Sequence, residues 1–115
     1  MVLDNQNESN YIVITYGVQF EWDTRKNAIN HKKHGVAFEE AVTIFFDKQY
    51  LEIADPDHSM NEDRFIAIGI SNRLRLLVVC HSILGEDEIY RIISARVATK
   101  KEEQQYGRKT NAKRI

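Results

Sequence analysis

The sequence predicts an α+β domain in which two N-terminal helices and one C-terminal helix pack on a mainly antiparallel sheet. After an opening β-branched stretch, polar and apolar residues from Thr24 to Asp47 follow helical patterns, and apolar residues then recur at a period near two through most of residues 50–97. The later strand candidates are joined by short turns, which connect antiparallel neighbours. A chain of 115 residues, 43% hydrophobic and 29% charged, suits a single core.

Residues 1–18 read as an N-terminal extension, part flexible and part strand. The stretch YIVITYGVQFEW is rich in β-branched and aromatic residues and is interrupted at Gly17, which predicts a strand with a bend at the glycine. Asp23 can cap the next segment, TRKNAINHKKH, a polar helix that stops at Gly35. Phe38, Ala41, Val42 and Phe45 then present one apolar face of a second helix. Tyr50–Ala54 is a short strand, and DPDHSMNED, which holds the only proline, is an exposed loop.

RFIAIGI and RLLVVCHSI form a hairpin around Ser71–Arg73, and EIYRIISARVA adds a further strand. Thr99 and Glu102 have the spacing of a capping box, so a last helix begins there and runs to about Gly107. The main domain therefore spans 19–108, with a basic tail over 109–115.

Period-two parity assigns faces to these strands. With symmetric turns, Arg64, Ile66, Ile68 and Ile70 share a face with Arg75, Leu77, Val79 and His81, and with Tyr90, Ile92, Ser94 and Arg96. The opposite face is nearly all apolar apart from Arg91, and belongs under the helices. The mixed face carries three arginines, and guanidinium forks match phosphate oxygens bidentately. Arg64 and Arg96 are the candidates for a phosphate clamp, with Arg75, Tyr90 and Ser94 as further substrate contacts. The alternative is that these arginines are paired by carboxylates such as Glu52, Asp55 or Glu62, or by the last helix.

Net charge is −1, which by itself argues against a nucleic-acid binder. The distribution changes this: residues 1–90 hold 8 Lys/Arg against 15 Asp/Glu, whereas residues 91–115 hold 8 against 2. The positive end suits a polyanion or an acidic partner. Cys80 is the one cysteine and sits in the apolar run LRLLVVC, so it reads as a small buried hydrophobe. The acidic, polar opening MVLDNQNESN has no secretory pattern, and no apolar run reaches a membrane span. A cytoplasmic location is expected.

His31 and His34 lie one helical turn apart and Asp55, Asp57 and His58 cluster in a loop, yet no metal-ligand motif is present, so no metal is expected. The isolated glycines exclude a phosphate-binding loop, so no nucleotide cofactor is expected.

The segment FEWDTRKNAINHKKHGVAFEEA resembles the opening of BrnT-type proteins, with its Trp-Asp pair, Asn, Lys-His-Gly and Phe-Glu-Glu-Ala. The resemblance continues through NEDRFIAIG, the LLVV strand and RIISARVATKKEEQQY, covering residues 20–106. Ala37 departs from it, standing where such sequences often carry a capping serine. The resemblance implies a fold similar to the RelE ribonucleases and RNA cleavage neutralised by a DNA-binding antitoxin of the BrnA kind.

The chemistry expected of such an enzyme is transesterification, in which the ribose 2′-hydroxyl attacks the adjacent phosphate without metal or cofactor. His34 or His81 would transfer protons, because histidine as a residue type titrates near neutral pH. Lys33, Glu62 and Tyr106 join them as catalytic candidates from the matching motifs. A non-enzymatic alternative uses the same basic surface to bind protein or nucleic acid.

Overall fold

The stretch expected to be one bent strand is a hairpin. In the computed structural model, which describes residues 10–15, 17–55 and 64–114, β1 (Asn10–Thr15) pairs antiparallel with β2 (Val18–Asp23), Thr15 opposite Val18. Gly17 stands between them at φ 78°, a conformation glycine enters without a Cβ clash, and the expected bend becomes a reversal.

The Asp23 carboxylate accepts from the amides of Arg25 and Lys26, and opens α1 (Thr24–His34). Gly35 closes it at φ 72°, its N–H donating to the His31 carbonyl at 2.8 Å. α2 (Phe38–Ala41) passes at once into a 3-10 turn over Val42–Phe46. The β-branched run Val42, Thr43, Ile44 resists α-helical winding, and the Thr43 hydroxyl donates to the Glu40 carbonyl at 2.6 Å. Ala37 offers no side-chain cap, so α1 supplies one: Asn27 Oδ1 accepts from the Phe38 N–H at 2.8 Å.

Four further strands follow: β3 (Leu51–Ala54), β4 (Arg64–Ile70), β5 (Leu76–Leu84) and β6 (Ile89–Val97). They complete a six-stranded mixed sheet in the order β1-β2-β6-β5-β4-β3, with β2 and β6 parallel and every other pair antiparallel. Thr99 and Glu102 form the expected capping box at the start of α3 (Lys100–Arg114). That helix runs past Gly107, since a single interior glycine costs only about 1 kcal/mol and no proline follows.

The helix-facing side of the sheet buries Phe20, Trp22, Leu77, Val79, Ile92 and Ala95 against Val36, Phe38 and Ile44. At roughly 1.5–3 kcal/mol for each large side chain, this is the main stabilising element. Gly69 lets the 3-10 turn approach, because a Cβ there would meet the Ile44 carbonyl oxygen at 3.0 Å.

The parity assignment is corrected by the register. Ile70 faces Leu76, so five residues, 71–75, make the β4–β5 connection, with Leu74 at φ 63°. That odd count places Leu77, Val79 and His81 on the helix side, opposite Arg64, and takes Arg75 out of the strands altogether. Between β5 and β6 a bulge shifts the register, Cys80 facing Ser94 but His81 facing Ile92. Tyr90 and Ile92 thus lie with His81 on the helix side, while Ser94 and Arg96 return to the Arg64 face. Arg91, assigned to the apolar side, also joins that outer face, where Glu21 lies beside it.

Candidate functional site

The parallel pairing of β2 with β6 extends only over Phe20–Tyr90 and Glu21–Arg91. Beyond it, the side of β6 toward β2 is covered by α1. Asn30 is buried there and behaves like a neighbouring strand: its Nδ2 donates to the Ala95 carbonyl at 2.8 Å and to that of Val36 at 2.9 Å, and its Oδ1 accepts from the Ala95 N–H at 3.1 Å. This seats α1 against β6 and leaves a cleft of about 200 Å³ lined by Lys26, Ile29, Asn30, Lys33, His34, Ile93 and Ser94.

Helical spacing explains the α1 side of that cleft, since residues 26, 30, 33 and 34 share one face. The bulge explains the other side, turning Ser94 outward opposite Cys80. Three residues chosen separately from the sequence, Lys33, His34 and Ser94, therefore meet in one place. Lys26 was missed, although its seven-residue separation from Lys33 is the signal that would have found it.

Ser94 also belongs to the outer sheet face, two residues from Arg96. The arginines of that face are Arg64, Arg91 and Arg96. Arg96 makes a bidentate fork with Glu102, both N–O distances 2.8 Å. These bonds hold Glu102 well below the usual carboxylate range, at about 2, and raise Arg96. Arg91 bonds Glu21 at 2.5 Å. A carboxylate on a guanidinium fork occupies the geometry a phosphate would take.

Other candidates are placed elsewhere. Arg75 ties the β4–β5 connection to α2, donating to both Glu40 carboxylate oxygens and to the Gly35 carbonyl. Its bonds to Glu40 lower that buried acid despite desolvation, with the Ser71 hydroxyl adding a third donor at 2.6 Å. Tyr106 donates to Asp47 Oδ2 at 2.5 Å, and the same oxygen accepts from the Ile70 N–H. The phenol thus holds α3 to the end of β4 and lies outside the α1–β6 cleft.

His81 is 0% exposed. Its ring stacks on Tyr90 (5.2 Å between centroids) and Phe65 (5.7 Å), and meets the edge of Phe45. Burial pushes it down to about 4 and pushes Glu52, whose Oε1 stands 3.3 Å from its Nε2, upward. A neutral, enclosed imidazole is core chemistry, which removes His81 from the surface that could meet a substrate, while Tyr90, half-buried, turns its ring to the helix side against it. The candidate Glu62, like Asp57 and His58, lies outside the described residues.

Among the described residues no group of three or more His, Cys, Asp or Glu side chains is placed to hold a metal ion. No helix among them is long and apolar enough to cross a membrane.

A family model described as the ribonuclease toxin BrnT of type II toxin–antitoxin systems matches residues 22–102. The crystal structure of the Brucella abortus ribonuclease toxin BrnT is similar to this chain, with a TM-score of 0.54 and 27% identity, over 69% of this chain and 94% of that one. No curated protein matches. The matched residues contain α1, the bulged β6 and both arginines of the expected clamp.

Proposed function

The chain belongs to the BrnT family of ribonuclease toxins of type II toxin–antitoxin systems, and we propose that it is an endoribonuclease acting in the cytoplasm until a BrnA-like antitoxin covers it. The observation that carries this reading is the convergence of Lys33, His34 and Ser94 in the α1–β6 cleft. Ser94 joins that cleft to the outer sheet face of Arg64 and Arg96.

The proposed reaction is metal-independent. The ribose 2′-hydroxyl attacks the adjacent phosphorus, the bond to the 5′-oxygen breaks, and a cyclic phosphate and a 5′-hydroxyl result. The substrate supplies the nucleophile, so the protein need only align it, move two protons and stabilise the added charge of the phosphorane. Arg96 and Arg64 serve as the phosphate contacts, with Glu102 giving up the Arg96 fork as the phosphate arrives and Arg64, in line with Ser82 and Arg91 on the same face, holding the RNA backbone further along. His34, on the rim of the cleft, moves a proton. Lys33 neutralises charge on the phosphorane oxygens and Ser94 offers a hydroxyl to the backbone.

The test is purified chain incubated with single-stranded RNA in excess EDTA. Cleavage with cyclic phosphate ends is expected. Intact RNA, or cleavage that appears only when a divalent metal is restored, would defeat the proposed chemistry.

A further inference from the structure

A second concavity lies on the outer face, away from the α1–β6 cleft. β3 ends the sheet, and its outward residues Leu51 and Ile53 stand opposite Ile68 and Ile66 of β4. Together these four form an aliphatic floor. α3 passes over it, tethered at one end by Glu102 on Arg96 and further along by Tyr106 on Asp47. Gln105, Arg108 and Lys109 form the wall of a groove of about 350 Å³.

The lining narrows what can occupy this groove. It has an apolar base, with Ile53 54% exposed, and a cationic wall, with no carboxylate among the described residues that line it. Among these residues RNA would find cations but no aromatic ring on which to stack a base, and an aliphatic floor gives it nothing to hydrogen-bond. A polypeptide segment with apolar residues on one side and Asp or Glu on the other matches both surfaces. An exposed isoleucine on a terminal strand is also a liability that a protein partner removes.

We infer that this groove is the docking site for an acidic, amphipathic segment of the antitoxin. The inference rests on the reading of the chain as a toxin with a protein partner. A segment seated there lies beside Arg64, which shares the strand face with Ile66 and Ile68, and against the helix that holds Arg96. Docking thereby obstructs the proposed phosphate contacts without entering the α1–β6 cleft.

The experiment measures affinity for the antitoxin protein of its own pair by titration calorimetry, with RNA cleavage by the isolated chain assayed in parallel. Ile53→Asp and the double variant Arg108→Glu/Lys109→Glu should each weaken antitoxin binding at least tenfold while RNA cleavage is kept. Leu74→Asp, at an exposed turn elsewhere, should change neither. Antitoxin affinity within twofold of the parent in both groove variants overturns the inference. It is equally overturned if RNA binding falls with the charge reversal while antitoxin binding holds, or if Ile53→Asp only dissolves a dimer of the chain. A parent chain that never cleaves RNA, with antitoxin binding still lost in the groove variants, would reject the catalytic reading and leave the docking site standing.

Discussion

Asn30 of α1 takes both backbone hydrogen bonds of Ala95 in β6, donating to its carbonyl and accepting from its N–H. The sheet therefore continues, by one side chain, into a helix. Asn30→Ala leaves two backbone groups of β6 and the Val36 carbonyl without their partner. At roughly 1–3 kcal/mol for a buried unsatisfied group, partly relieved by water, a loss of about 2–4 kcal/mol is expected. Urea denaturation measures it. A loss below about 0.5 kcal/mol would mean that β6 does not depend on α1.

The Arg96–Glu102 fork makes a pH prediction. Glu102 is depressed to about 2 in the folded chain, so its contribution is present above the unfolded carboxylate value and is lost as pH falls from about 4.5 towards 2. Glu102→Gln should flatten stability across that window. An unchanged acid profile would place the loss in other carboxylates, such as Glu40, whose value is also lowered.

His81 acts through a higher window. Its folded value of about 4 lies below that of the free side chain, so protonation favours unfolding as pH falls from about 6.5 towards 4. The full effect is about 3 kcal/mol at 1.4 kcal/mol per unit, and Glu52, shifted upward, offsets part of it. His81→Phe should give a shallower slope between pH 6.5 and 4 and retain RNA cleavage. Loss of cleavage in a stable His81→Phe protein would return the buried ring to the mechanism.

Element types were legible because composition and capping are local: Asp23, Gly35 and the Thr99–Glu102 pair declare their helices directly. Face assignment was not, because it depends on turn length. One extra residue between Ile70 and Leu76 moves His81 from the outer face into the core, and the bulge opposite Cys80 brings Ser94 and Arg96 back. The two slips cancel for Arg64 and Arg96 and do not cancel for Arg75, His81 or Tyr90. Spacing could give the α1 side of the α1–β6 cleft but not its meeting with β6, since that depends on a helix standing where a strand would be.

The outer arginines predict a substitution series. Arg96→Ala and Arg64→Ala should each reduce RNA cleavage roughly 10- to 100-fold, the range expected for losing charge-assisted bonds of about 1.5–3 kcal/mol. Arg96→Lys should recover little, because an ammonium cannot form the two-pronged contact. Circular dichroism checks the fold of each variant. Full cleavage in both alanine variants would remove the proposed phosphate contacts.

The cleft predicts different kinetics from the arginine face. Lys33 and His34 are exposed in the last turn of α1, so substituting either should change stability by less than about 0.5 kcal/mol. Any loss of activity then reports on chemistry. His34→Gln keeps a polar side chain of similar reach but cannot carry a proton through a cycle, so kcat should fall by about 100-fold or more with KM little changed. Lys33→Ala removes a point charge near the phosphate, so KM should rise and cleavage should depend less steeply on salt. Ser94→Ala, which deletes one hydroxyl at the junction of cleft and sheet face, should have the smallest effect of the three. Single-turnover cleavage over a range of RNA concentrations separates these outcomes. A Lys33→Ala/His34→Gln double variant with parental kcat and KM would leave the sheet arginines as the whole site, and the meeting of Lys33, His34 and Ser94 would be a feature of the surface alone.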